Sequence, residues 1–227
     1  MSLWSRITDA LNALRKGESL TAVFERLRTP PEKSVAFAIA VIALGAKMAK
    51  ADGQVTRDEV AAFREVFQIA PSDEQGAAKV FNMARTDVAG FEEYARSVRR
   101  MFADNPKALC DLIEGLFHIA MADGTYHPGE NDYLDRVADI FEIPAPDYRA
   151  LKARFVPDAD PDPFSVLGVS PDTPPEEIRA VWRRLVRETH PDAMIARGVP
   201  EEAIKLAEKR LVMINRAWEE INGATAS

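Results

Sequence analysis

Between residues 32 and 155 apolar residues return every three or four positions, and the strict alternation of a half-buried strand is absent. The period predicts helices over 32–50, 56–68, 72–85, 88–104, 106–122, 128–141 and 145–154, broken at glycines, prolines and an Asp-Asn pair. Ahead of them, Leu3, Trp4, Ile7, Leu11 and Leu14 share one helical face. After Gly17 the residues Leu20, Val23, Phe24 and Leu27 form a second, and Pro30-Pro31 ends the segment. The longest apolar run, Val35 to Ala46, is too short to cross a bilayer and suits a buried core helix. Near the C-terminus, Ile178, Val181 and Leu185 fall on one side of a helix. Arg179, Arg183 and Arg187 recur at four-residue spacing on another, with Arg184 and Trp182 beside them. Thr173 is its expected cap, with Pro174 at the first turn and Glu176 completing a capping box. Pro191 disfavours the α conformation in the residue before it, so the helix should end near His190, leaving His190-Pro191-Asp192 in a stiff loop. A last helix over about 201–222 is expected to bury Leu206, Met213, Ile214, Ala217 and Ile221 against Ile178, Val181 and Leu185. The fold class is all-α.

The central helical stretch repeats itself. Ala49-Lys50-Ala51-Asp52-Gly53-Gln54-Val55 matches Ala120-Met121-Ala122-Asp123-Gly124-Thr125-Tyr126, and Glu59 matches Glu130 at the same offset. Each copy reads as helix, A-D-G turn, helix. Glycine supplies a left-handed helix end, Asp accepts from nearby amides, and the later glutamate suits the first turn of the next helix. Capping is therefore the first reading of Asp52, Glu59, Asp123 and Glu130. The second is that two related turns gather four carboxylates as a divalent-cation site. The spacing is not that of an EF-hand, because oxygen ligands at the third and fifth loop positions are missing.

Charge narrows the function classes. The 227 residues carry a formal net charge of -7. Residues 160–227 hold nine Lys/Arg against twelve Asp/Glu, and residues 1–159 hold twenty against twenty-four. Neither half is basic, so the arginine stripe is a local feature on an acidic body, which argues against nucleic acid as a general partner. One cysteine, Cys110, excludes an internal disulfide and a cysteine-rich zinc site, in keeping with a reducing compartment. No GxxxxGK[ST] loop occurs, and His118, His127 and His190 form no triad or zinc spacing, so the chain is not expected to be an enzyme. His118 lies on an apolar helix as a core or boundary residue, and His127 is expected to be exposed. No signal peptide is visible, and a cytoplasmic chain is expected.

Motif order adds a resemblance. Asp162-Pro163-Phe164-Ser165-Val166-Leu167-Gly168-Val169 precedes the arginine helix, His-Pro-Asp follows it, and Ile214-Asn215-Arg216-Ala217-Trp218-Glu219-Glu220-Ile221 closes the chain. This order resembles the J domain of the DnaJ family, an antiparallel helical hairpin. The A-D-G repeat and its helices resemble the TerB-like domain of tellurite-resistance proteins. Together, with Ala196-Arg197-Gly198-Val199-Pro200, they resemble the DjlA type of J-domain co-chaperone. The resemblance divides the chain into an amphipathic segment (1–31), a TerB-like bundle (32–155), an acidic proline-rich linker (156–163) and a J domain (164–227). It implies binding to the ATPase domain of a DnaK-type chaperone and stimulation of its ATP hydrolysis. The binding residues would be His190, Pro191, Asp192, Arg179, Trp182, Arg183, Arg184 and Arg187. The TerB-like part would serve targeting, oligomerisation or metal sensing. Two departures stand out. Ala193 follows the tripeptide where lysine is usual, and the transmembrane segment of the family's best-known member has no counterpart, so membrane anchoring is not expected.

Rival readings use the same residues. A DNA-reading helix would need polar base-contacting residues at its start, where Pro174, Pro175, Glu176 and Glu177 stand. A stress-response sensor would make the acidic turns the active half and the J domain a recruiter only. Residues 3–16 are a candidate for peripheral membrane contact, and packing on the neighbouring bundle or on a second copy in a homodimer is the preferred alternative.

Overall fold

The computed structural model describes residues 3–16, 18, 22–23, 32–51, 90–156 and 162–225 of the protein. The helices expected over 56–68 and 72–85 lie outside these residues, as does the centre of the linker. Ten α-helices and two short 3₁₀ turns account for the regular structure, with no strand among the described residues. They are α1 (Leu3–Arg15), α2 (Glu32–Ala51), α3 (Phe91–Met101), α4 (Pro106–Ala120), α5 (Pro128–Phe141), α6 (Ala145–Phe155), α7 (Pro163–Leu167), α8 (Pro175–Thr189), α9 (Pro191–Ala196) and α10 (Lys205–Thr225). The 3₁₀ turns are Met121–Asp123 and Glu201–Ala203.

Helix α2 is the axis of the bundle. Val35 to Leu44 are buried without exception, as expected of a helix apolar on every side. Helix α4 lies close against it. A Cβ placed on Gly45 would come within 2.9 Å of Ile119 Cδ1, so any side chain there would displace the end of Ile119. The Tyr133 hydroxyl on α5 donates to the Leu44 carbonyl at 2.8 Å, giving a buried polar group the partner it requires. Helix α1 turns Ile7 and Ala10 into the same core, so that part of its apolar face serves packing.

A second, smaller cluster joins α7, α8 and α10 through Val166, Leu167, Ile178, Ile214, Ala217 and Ile221. Trp182 and Trp218 stack at 5.0 Å across this hairpin, and Trp182 Nε1 donates to Asn215 Oδ1 at 3.0 Å. The Asp-x-Phe motif has a local cause: the Asp162 carboxylate accepts from the amides of Phe164 and Ser165 at 3.3 and 3.1 Å. Gly168 ends the short helix at φ +71°, where a side chain would be strained.

Three expectations need correction. Helix α8 starts one residue late: Pro175 is its first residue, so extended Pro174 becomes the cap, and Thr173 Oγ1 instead accepts from Ser170 N at 3.1 Å. The His-Pro-Asp segment is not a loop, because Pro191 and Asp192 open helix α9. Leu206 does not join the hairpin. With Met194, Val199, Ala203 and Ala207 it belongs to the core of the N-terminal bundle, so α10 begins on one unit and ends in the other. Leu206→Ala should therefore cost the full-length chain about 2–5 kcal/mol. Hydrogen exchange should speed up in α4 as well as α10; acceleration confined to α8 and α10 would contradict this placement.

Candidate partner interface

Helix α8 presents its two faces as the periodicity implies. Ile178 is buried, Leu185 and Val186 are half-buried, and Arg179, Arg183, Arg184 and Arg187 are exposed. No ion pair ties any of these four to another described residue. Arg184 also lines a cavity of about 310 Å³ between bundle and hairpin, with Arg154, Asp147 and Cys110. Trp182 is the member of the expected set drawn inward: its ring and indole N–H are occupied within the hairpin, so it braces the helix from behind.

His190 closes α8 and opens α9. Its φ of -56° and ψ of 136° break the helix, as the following proline requires. Its Nδ1 accepts from the Asp192 amide at 3.3 Å, so the ring itself caps α9. An acceptor at Nδ1 places the proton of the neutral ring on Nε2. The Asp192 carboxylate stands 3.6 Å from Nδ1 with its side chain 89% exposed. A cationic helix face thus ends in an exposed carboxylate held by a local cap.

Four charged residues whose meeting the sequence did not show lie directly behind this surface. Asp111 and Glu114, one turn apart on α4, are 1% and 0% exposed. Asp111 accepts from Arg197 Nε at 3.0 Å and from Arg210 Nη2 at 2.8 Å, while Arg210 also pairs with Glu114. Arg197 Nη1 donates to the Glu188 carbonyl at 2.9 Å, and Asn105 Nδ2 donates to the Arg197 carbonyl at 3.1 Å. Lys107 reaches the Glu188 carboxylate at 2.5 Å. The signal was two carboxylates at three-residue spacing inside an otherwise apolar helix, since charges are seldom buried unless paired.

The acidic turns are described in part. Gly124 closes the 3₁₀ turn at φ +82°, and Glu130, 3% exposed, accepts from the His127 amide at 2.9 Å. Both features match capping. Asp52 and Glu59 lie outside the described residues, and among those described no group of three or more His, Cys, Asp or Glu could hold a metal ion. His127 is exposed. His118 is half-buried, edge-on to Phe155 at 4.7 Å. Burial, with the Lys209 charge nearby, pushes its pKa from 6.5 down to about 3. Burial likewise raises the Cys110 thiol to about 11, which keeps it protonated at neutral pH.

An all-helical bundle built on a buried axial helix, carrying a helical hairpin, defines the class. The TerB family of tellurite resistance proteins matches residues 38–153, and the chain belongs to that family. Beyond that domain it is similar to co-chaperone protein DjlA of Coxiella burnetii, 27% identical over 77% of this chain and 72% of the relative. It is also similar to co-chaperone protein DjlA of Aliivibrio fischeri, 27% identical over 83% and 78%. The Escherichia coli K12 relative of the same name is 22% identical over 76% and 73%. These matches bear out the DjlA-type resemblance. No solved structure matches. No helix among the described residues is long and apolar enough to cross a membrane.

The depressed His118 pKa fixes a pH dependence. The unfolded imidazole takes up a proton below about 6.5 and the folded one does not until about 3, so stability falls as pH drops through that window. His118→Leu should flatten this part of the curve. Equal pH slopes for wild type and variant in chemical denaturation would contradict the burial of a neutral ring.

Proposed function

We propose that the chain is a co-chaperone that binds the ATPase domain of a DnaK-type chaperone through its C-terminal hairpin and stimulates ATP hydrolysis there. The observation that carries this reading is the exposed arginine face of α8 running into the His190-capped turn that presents Asp192. Similarity to relatives named co-chaperone over most of the chain supports it. Arg179, Arg183 and Arg187 meet an acidic groove of the partner, which speeds encounter and fixes orientation. Arg184 joins them from the edge nearest the bundle. Asp192 pairs with a partner cation that becomes desolvated, His190 and Pro191 hold its backbone, and Trp182 keeps the helix seated. The bond-breaking chemistry belongs to the partner. In this reading the TerB-family domain is the targeting or oligomerising module. Cation sensing by Asp52, Glu59, Asp123 and Glu130 is a further role, supported by the sequence repeat alone.

Two variants test the reading by different routes. Asp192→Asn keeps the side chain's size and removes its charge from the first turn of α9, where the helix dipole favours an anion by about 0.3–1 kcal/mol. Folding should change by no more than that, yet ATPase stimulation should collapse, because losing one member of a desolvated pair costs about 2–5 kcal/mol. Arg183→Ala removes one charge of several. It should slow association and flatten the salt dependence while preserving stimulation at high protein concentration. Full stimulation by Asp192→Asn in a steady-state ATPase assay would sink the proposal.

A further inference from the structure

We propose that Asp111, a residue of the TerB-family bundle, is a positioning residue for the His190-Pro191-Asp192 turn and acts through Arg197. The functional consequence rests on the reading above; the positional one does not. Asp111 touches no part of the turn. Its Oδ2 takes Arg197 Nε, and the other arm of that guanidinium donates to the Glu188 carbonyl, two residues before His190. Asn105, which also caps α4, grips the Arg197 backbone at its carbonyl. After the tripeptide, Met194 and Val199 are fully buried in the bundle core. Gly198 adopts φ +96° between Arg197 and Val199. Both flanks of the turn are therefore fastened to the N-terminal bundle, and only the exposed centre faces outward.

The carboxylate is shared unequally. Arg210 keeps Glu114 if Asp111 loses its charge, so the contact between α4 and α10 retains a buried ion pair. Asp111 is the only ion-pair partner of Arg197 among the described residues. Neutralising Asp111 thus frees Arg197 selectively, and with it the carbonyl that ends α8. A planar guanidinium spans a carboxylate oxygen and a carbonyl at once, a geometry a single ammonium reproduces poorly. Arg197→Lys keeps the charge and should lose the bridge. With the bridge gone the turn samples other arrangements, and apparent affinity for a partner falls with the competent fraction while the saturated rate does not.

The test uses the full-length, nitrogen-labelled chain. Asp111→Asn and Arg197→Lys should each move or broaden the Asp192 amide and His190 ring resonances. Each should raise the concentration for half-maximal ATPase stimulation about fivefold or more, with the maximal stimulation retained. A purely structural role would lower the melting temperature without moving those resonances. If Asp111→Asn does not fold, Arg197→Lys decides. Unmoved resonances in Arg197→Lys overturn the proposal, and so do moved resonances with an unchanged half-maximal concentration. A wild-type chain that stimulates no ATPase would defeat the chaperone reading, while the resonances would still settle whether Asp111 positions the turn.

Discussion

One buried carboxylate joins the two halves of this protein. Asp111 is sealed in the bundle, and an isolated charge there would be costly. Two guanidiniums from different segments neutralise it, Arg197 from the stretch after α9 and Arg210 from within α10. Removing one partner from such a buried set typically costs about 3–5 kcal/mol, although an apolar replacement of the whole set can be equally stable. Its particular contribution is directional. Met194, Val199 and Leu206 supply apolar contact that tolerates small rotations, whereas hydrogen bonds between carboxylate and guanidinium hold one geometry.

This constraint bears on what counts as a domain here. Sequence motifs place a boundary at the acidic linker, and the hairpin has its own small core around Ile178 and Ile214. Yet residues 194–207 belong to the bundle's core. Helix α10 passes from one core to the other, so loads on the hairpin reach α4 directly.

The helices were legible because their causes are local. Apolar period, proline and glycine set the ends of α4, α5 and α6 to within about two residues, the ordinary uncertainty of helix boundaries. The misses each have a non-local or competing cause. Thr173 lost its capping role because a second proline moved the first turn by one residue. Leu206 sits at helical spacing with the hairpin residues, but periodicity reports that a residue is buried, not which core receives it. The stacking of Trp182 on Trp218 is likewise a contact between distant segments, which helical spacing does not show.

The candidate interface divides the same way. The arginine face and the tripeptide are contiguous in sequence and were readable there. Asp111, Glu114, Arg197 and Arg210 are not, since their meeting depends on the docking of α10 against α4. In linear order, Arg197 looks like one more cation in a loop, and Asp111 and Glu114 look like flaws in an apolar helix. Together they explain why that loop carries Arg-Gly-Val. The arginine reaches the buried carboxylate, the glycine permits the positive φ, and the valine fills the bundle core beside it. Three adjacent residues thus do three different physical tasks, and each constrains how the exposed Asp192 is presented.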